Sequence, residues 1–354
     1  MLVSSKNKLR LATLFTGIGS IEHALQRLGK AYEIVLACDP DKFCKETYLA
    51  NFPIDKKIWV DYIQDVNGKK YKNVDLLVGG SPCQSFSLVG KRRGFSDERG
   101  NLFFEFVRVL KDMEPKFFIF ENVKGILSND SGKTFEKIQE QLKSVKYDVK
   151  FAVLNAKDYG IPQNRERLFV VGMRGKNIFT FPQKQKLKIT MHDLLEDNPD
   201  FKYFLPEKGI KFVTDIKNLK KCYTQINGDI ALCQKRNQQF NWHGDFIDMN
   251  KYYLSEKVKK YVLATGTKNF YSKAETDLKV ARPLLSTMAK MHRAGVDNYI
   301  TCGSKLRKLT PRECFRLMGF SDSFKIPVSD TQAYKQAGNS IVVDVLIAIL
   351  KELL

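Results

Sequence analysis

Residues 1–180 predict an α/β domain built on a doubly wound sheet, and three features of the chain point there. Short apolar runs of strand length alternate with amphipathic stretches of helical spacing. The last two strand-like runs are joined by a link too short for a crossover. Ordered sequence then returns after residue 300 and closes the same domain. Taken along the chain, LRLATLF, EIVLACD, IWVDYI, DLLVGG and FFIFENV read as strands, and SIEHALQRLG, PDKFCKETYLANF, LFFEFVRVLKDM and TFEKIQEQLKSV as helices. VKFAVLNA and RLFVVGM follow, with Gly160 and Pro162 in the short polar link between them, which suits a hairpin. The sheet is therefore expected to be mixed near its edge.

From 181 to 300 the texture changes to irregular, lysine-rich and aromatic sequence such as KNLKKCYTQ and QKRNQQFNWHGDF. No long period survives there, so a second, smaller, loop-rich domain is expected, inserted rather than appended. Basic residues interleaved with Tyr, Phe and Trp242 suit a nucleic-acid surface. A solvated insertion whose aromatics form a modest core is the alternative. Residues 301–354 complete the first domain, with Thr310 as cap and Pro311 in the first turn of a helix. No internal repeat or low-complexity linker divides the chain.

A chain of 354 residues with 43% hydrophobic content holds two domains, or one large domain with an insertion. Lys plus Arg number 59 against 39 Asp plus Glu, a net charge of +20, which points to a polyanionic partner and to nucleic acid first. Charge alone leaves a merely basic surface open. The seven cysteines show no CxxC spacing and the four histidines are scattered, so no metal is expected and a reduced cytoplasmic setting fits. The N-terminus lacks the apolar core of a signal peptide, and no segment reaches the roughly 20 apolar residues of a membrane span. The run IVVDVLIAILKELL, broken by Asp344 and Lys351, reads as a packed C-terminal helix.

Chemistry concentrates where strands end. Pro82 and Cys83 follow an apolar run in VDLLVGGSPCQSFS, where a glycine-rich turn can aim a sulfur into a cleft. A small buried core filler is the bland alternative for any cysteine. FFIFENV ends in Glu121, Asn122 and Val123, and Arg165, Glu166 and Arg167 precede RLFVVGM. Alone, that Arg-Glu-Arg run would read as a solvent face of a strand. In LFTGIGS, Phe15, Gly17 and Gly19 lie between a strand and a helix, and Asp39 and Asp61 near the ends of the next two strands suit the hydroxyls of an adenosine. Glu22 occupies the last position of a would-be GxGxxG, which favours a cofactor without a pyrophosphate, S-adenosyl-L-methionine over NAD.

Together, LFTGIGS, GGSPCQSFS, ENV, QNRERLFVVG, LTPRECFRLMGF and QAYKQAGNSIV resemble the cytosine-C5 DNA methyltransferases in motif order and spacing, over residues 9–175 and 300–354. The resemblance implies a Rossmann-like S-adenosylmethionine-dependent methyltransferase domain with a mixed sheet, plus a smaller target-recognition domain at 181–300. It implies that Cys83 attacks C6 of a cytosine flipped from duplex DNA, that Glu121 grips N3 and the exocyclic amine, that Arg167 contacts O2, and that Arg165 supports the pocket. For the cofactor it implies Phe15 on adenine, with Gly17 and Gly19 in the loop, Asp39 on ribose, Asp61 at the adenine amine with Tyr62 beside it, Leu102 through its backbone, and Asn339 and Ser340 nearby. In QSFSLVGKRRGFSDERGN, which has the glycines and charges of a loop that closes over DNA, Ser85, Ser87, Lys91, Arg92, Arg93 and Arg99 are candidate phosphate contacts. Thr287 is another, and Lys290, His292 and Arg293 are candidate base readers.

The chain departs from the family pattern at Thr13 and Thr16, in place of the common Asp and Ala, at Ser20 in place of a glycine, and at Pro40, where some relatives carry a tryptophan against adenine. The partner implied is double-stranded DNA, with the protein a monomer and a cognate restriction endonuclease as its genetic partner. Transfer RNA methylation by the same chemistry, and a nucleic-acid-binding protein without catalysis, are the alternatives.

Overall fold

The computed structural model describes residues 8–81, 101–176, 178–197, 199–203, 205, 207–236, 242–248 and 306–354. Of the residues singled out above, Cys83, Ser85, Ser87, Lys91, Arg92, Arg93, Arg99, Thr287, Lys290, His292 and Arg293 lie outside the described residues.

The first elements are β1 (Leu9–Leu14), α1 (Ser20–Arg27), β2 (Tyr32–Cys38), α2 (Lys42–Asn51), β3 (Trp59–Val60) and β4 (Leu76–Gly79). They are followed by α3 (Asn101–Met113), β5 (Phe117–Val123), α4 (Lys133–Lys143), β6 (Tyr147–Asn155) and β7 (Glu166–Arg174). Seven strands form one sheet in the order β3-β2-β1-β4-β5-β7-β6. The pairs from β3 through β5 are parallel, whereas β7 runs antiparallel to both β5 and β6. The expected hairpin is therefore present, and the sheet is mixed at that edge. Every residue of β4 is buried, as an interior parallel strand covered on both faces must be.

The expected strand IWVDYI shortens to two residues. Asp55 accepts from the Lys57 N–H and closes a helical turn over Lys56–Ile58, and Asp61 leaves the strand direction to meet Lys45 and Trp59. The chain moves outward from β1 through β2 and β3, then returns to the other side of β1 as β4. That reversal opens a crevice at the carboxyl ends of β1 and β4, where open α/β sheets bind ligands.

Beneath the crevice, Phe106 sits 6.1 Å from Phe118 and 5.0 Å from Phe120, ring to ring, and all three are fully buried. The C-terminal segment adds α7 (Pro311–Arg316), α8 (Asp330–Asn339) and α9 (Val343–Leu353). Helix α7 opens at Pro311, as expected for a first-turn proline. Helix α9 buries Val343, Val345, Leu346, Ile349 and Leu350, and Arg27 at the end of α1 grips Asp344 through two bonds of 2.7 and 2.9 Å. The apolar tail is thus a core helix.

Contacts divide the chain into two compact units, Met1–Glu196 with Gly228–Asn241 and Pro311–Leu354, and Asp197–Asn227 with Trp242–Thr310. Although Gly228–Asn241 falls within the compositionally distinct stretch, backbone bonds tie it to the first unit: Ala231 N–H donates to Pro162 (2.8 Å) and Asn164 N–H to Ala231 (2.9 Å). The second unit, taken alone, contains α5 (Glu207–Val213), α6 (Ile216–Lys220), β8 (Thr224–Ile226), β9 (Gly244–Asp248) and β10 (Leu306–Lys308). Strand β9 pairs parallel with β8 and antiparallel with β10. Leu205, Val213 and Phe246 form its small core, with Phe212 and Trp242 packed against it.

Candidate active site

Strand register builds the site. Leu14 pairs with Cys38 on one side and Gly79 on the other, and Gly79 pairs with Phe120. The next residue of each strand, Phe15, Asp39, Gly80 and Glu121, therefore stands along one carboxyl edge of the sheet.

Phe15 has a φ of 54°, a left-handed conformation that costs a bulky residue roughly 1–2 kcal/mol and is retained where surrounding contacts enforce it. Those contacts are specific. The Thr16 hydroxyl accepts from the Cys38 N–H (3.0 Å) and lies 2.7 Å from the Thr13 hydroxyl. One Asp39 oxygen accepts from the Gly17 N–H and the other from the Asp41 N–H, each at 2.9 Å. Burial raises the Asp39 pKa, and these two backbone donors oppose the rise. Gly19 caps α1 at φ 87°, and a Cβ there would stand 2.3 Å from the Phe52 ring.

Thr13, Thr16 and Glu22 form a device that sequence reasoning missed. Glu22 reaches from the first turn of α1 so that its Oε1 accepts from Tyr48 (2.8 Å) and from Thr13 (3.2 Å). Thr13 thus leans on a carboxylate supplied nine residues later. Glu22 is fully buried, and burial pushes its pKa up to about 7 against the hydrogen bonds that lower it. Because the folded-state value lies above the unfolded one, this group's contribution to stability is complete below pH 4.5 and is lost as pH rises through 7. The rise from 4.5 to about 7 corresponds to roughly 3 kcal/mol. Glu22→Gln is expected to be more stable than the wild type at pH 8.5, with the difference shrinking toward pH 5. Urea unfolding at both values checks it, and a pH-independent difference would contradict the assignment.

A cleft of about 490 Å³, open solvent included, is lined by Phe15, Thr16, Gly17, Val78, Gly79, Asn339 and Ser340 among others. Asp39 joins it through its bond to Gly17. Asp61, Tyr62 and Leu102 do not line it. The Asp61 carboxyl accepts from Lys45 (2.9 Å) and from the Trp59 indole (3.0 Å), and the Lys45 hydrogen bond holds it below the usual carboxylate range. Tyr62 is exposed, and Leu102 on α3 packs against the main core.

The second half of the site adjoins the first. Glu121 Oε1 lies 3.3 Å from Arg167 Nε, with both side chains mostly buried. Burial raises the Glu121 pKa while Arg167 and Arg165 act against it. Gly80 allows this carboxyl in: a Cβ there would meet the Glu121 carbonyl oxygen at 2.7 Å and Oε2 at 3.2 Å. The Asn122 amide donates to the Ser81 carbonyl (3.2 Å), fixing the backbone two residues before Cys83.

Arg165 is a buried hub rather than part of a solvent face. It donates to the carbonyls of Gln234 (2.8 Å), Gly338 (3.1 Å) and Ser340 (2.9 Å), so it links β7 to the wall of the cleft. Burial and the neighbouring Arg167 bring its pKa down to about 10. Gln163 donates to the Leu317 carbonyl (2.8 Å) and accepts from the Gln234 N–H (3.0 Å). Gln163 lay inside a motif already singled out, whereas Cys233 and Gln234 carried no local signal and are found only through long-range contact.

A mixed seven-stranded sheet with this strand order, cleft and charged pair defines an α/β methyltransferase of the Rossmann-like class. The sequence profile of the C-5 cytosine-specific DNA methylases matches residues 9–354. The chain belongs to that family and is a DNA cytosine-C5 methyltransferase. It is 35% identical to the type II methyltransferase M.Bsp6I of a Bacillus strain, over 96% of each chain. It is 35% identical to M.HhaI of Haemophilus parahaemolyticus, over 96% of this chain and 92% of that one. It is 32% identical to the orphan methyltransferase M.SPRI of Bacillus phage SPR, over 98% of each. Among solved structures, a DNMT2 of Spodoptera frugiperda shares the fold with a TM-score of 0.68 and 22% identity, covering 97% of this chain and 99% of that one.

Proposed function

We propose that this enzyme uses Cys83 as its nucleophile and S-adenosyl-L-methionine as its methyl donor on cytosine in double-stranded DNA. The observation that carries the reading is the buried Glu121–Arg167 pair, 3.3 Å apart, beside the backbone that leads into Cys83. The cleft suits an adenosine-bearing cofactor: Phe15 offers a ring face, Asp39 a carboxylate already oriented by Gly17, and Asn339 and Ser340 a polar wall. When bound, the cofactor supplies the electrophilic methyl group that C5 accepts.

The remaining work falls to the chain. Cytosine C5 is a poor nucleophile until something adds at C6, and a thiolate does this best. Charge then builds on the ring and is relieved at N3, where the Glu121 carboxyl, whose pKa burial raises, donates in its protonated form. Arg167 presents its planar donors to O2, and Arg165 fixes the strand that carries Arg167. The target base must first leave the duplex, at a cost of a few kcal/mol.

The unit formed by Asp197–Asn227 and Trp242–Thr310 reads the DNA sequence in this account, consistent with its run of lysines and aromatics. The names of M.Bsp6I and M.HhaI favour a modification enzyme of a restriction-modification system. The protein acts as a cytoplasmic monomer with a cognate endonuclease as genetic partner. Incubation with radiolabelled S-adenosylmethionine and cytosine-containing duplexes is expected to label DNA in preference to transfer RNA. Absence of label across varied duplex sequences would overturn the reading.

A further inference from the structure

We propose that Cys233, a second cysteine unrelated to the nucleophile, is a positioning residue that orients the Arg167 guanidinium. The proposal rests on the reading above, in which Glu121 and Arg167 grip the pyrimidine. Its sulfur lies 4.0 Å from Arg167 Nη1, 3.9 Å from Arg167 Nη2 and 3.8 Å from Arg165 Nη1, and so accepts from both guanidinium groups. Arg167 is otherwise held at Nε by Glu121 (3.3 Å) and at Nη1 by its neighbour's carbonyl, Glu166 (2.8 Å). Among the described residues, the only hydrogen bond from Nη2 goes to the sulfur. The far edge of the guanidinium therefore depends on Cys233 for its direction.

The sulfur is itself fixed. Cys233 belongs to a strap bonded to Pro162 and Asn164 through Ala231, while Gln163 accepts from the Gln234 N–H and Arg165 donates to the Gln234 carbonyl. Four attachments between Ala231 and Gln234 leave the side chain little freedom. A soft, polarisable acceptor between two cations can hold both without the tight, short geometry that a carboxylate would impose. A carboxylate there would also compete with Glu121 for Arg167.

Cys233→Ala is expected to lower the single-turnover rate of methyl transfer by about 10- to 100-fold, the range for a slightly misaligned catalytic group. The KM for S-adenosylmethionine and the melting temperature should stay near wild type. Cys233→Ser keeps an acceptor at the position and should recover most of the rate. An alanine variant within twofold of wild type would overturn the proposal, as would equal losses in both variants accompanied by a lowered melting temperature. An inactive wild-type chain, or full activity in Cys83→Ala, would instead overturn the underlying reading and this proposal with it.

Discussion

Cys83→Ala is expected to abolish methyl transfer to duplex DNA while cofactor affinity is retained. The reasoning is chemical before it is structural. Without an adduct at C6 the pyrimidine cannot present a carbanion-like C5, and alanine has no atom that can form one. Removal of a nucleophile in enzymes of comparable logic costs on the order of a millionfold, so a loss of at least about 10,000-fold is expected here. The cleft that suits the cofactor is built from β1, β2, β4 and the C-terminal segment, none of which depends on this sulfur. Equilibrium binding of S-adenosylmethionine should therefore be unchanged within about threefold, well under 1 kcal/mol. Duplexes carrying 5-fluorocytosine offer a second readout, because the wild type should be trapped as a covalent adduct and the variant should not. Transfer within tenfold of wild type in the variant would exclude the covalent route.

Arg165→Ala should unfold the site rather than merely slow it. One buried side chain satisfies three backbone carbonyls, at Gln234, Gly338 and Ser340, from two chain segments far apart in sequence. Charge-assisted bonds of this kind are each worth about 1.5–3 kcal/mol, and truncation strands carbonyls that water cannot easily reach. A loss of about 3–5 kcal/mol is expected, as for breaking other buried charged groups. Arg165→Lys should fall between, since a single ammonium cannot fork to three acceptors held in different directions. Chemical denaturation measures both, and an alanine variant within about 1 kcal/mol of wild type would contradict the role, since buried charged hubs cost more than that.

Much of this was legible before any coordinates. Strand-length apolar runs alternating with helical periods fixed the order of β1 to β7, and the short link through Gly160 and Pro162 marked the antiparallel pair. Glu121 and Arg167 were recognisable because both sit at strand ends inside dense motifs, and register brings strand ends together. Taken alone the Arg165–Arg167 run reads as a solvent face, because alternation along a strand says nothing of what covers it; only the surrounding motif gave Arg165 a place in support of the pocket. IWVDYI shortened because Asp55 and Asp61 each found a polar partner that outcompeted the ladder. The Glu22 network and the Cys233 strap were out of reach for a different reason: both join residues whose separation leaves no periodic trace. Glu22 drew notice only as a defect in a glycine pattern, and Thr13 and Thr16 of the same network only as departures from a family opening.

The path of the chain between its two compact units has a practical side. It leaves the first unit after Glu196, comes back at Gly228, departs again at Trp242 and finally rejoins at Pro311. Anyone exchanging the second unit among relatives by transplanting 197–310 in a single cut would carry over a foreign strap and remove the Gln234 carbonyl that Arg165 holds. A workable chimaera needs two grafts, one on either side of a retained Gly228–Asn241 stretch, so that the second unit is exchanged without dismantling the site.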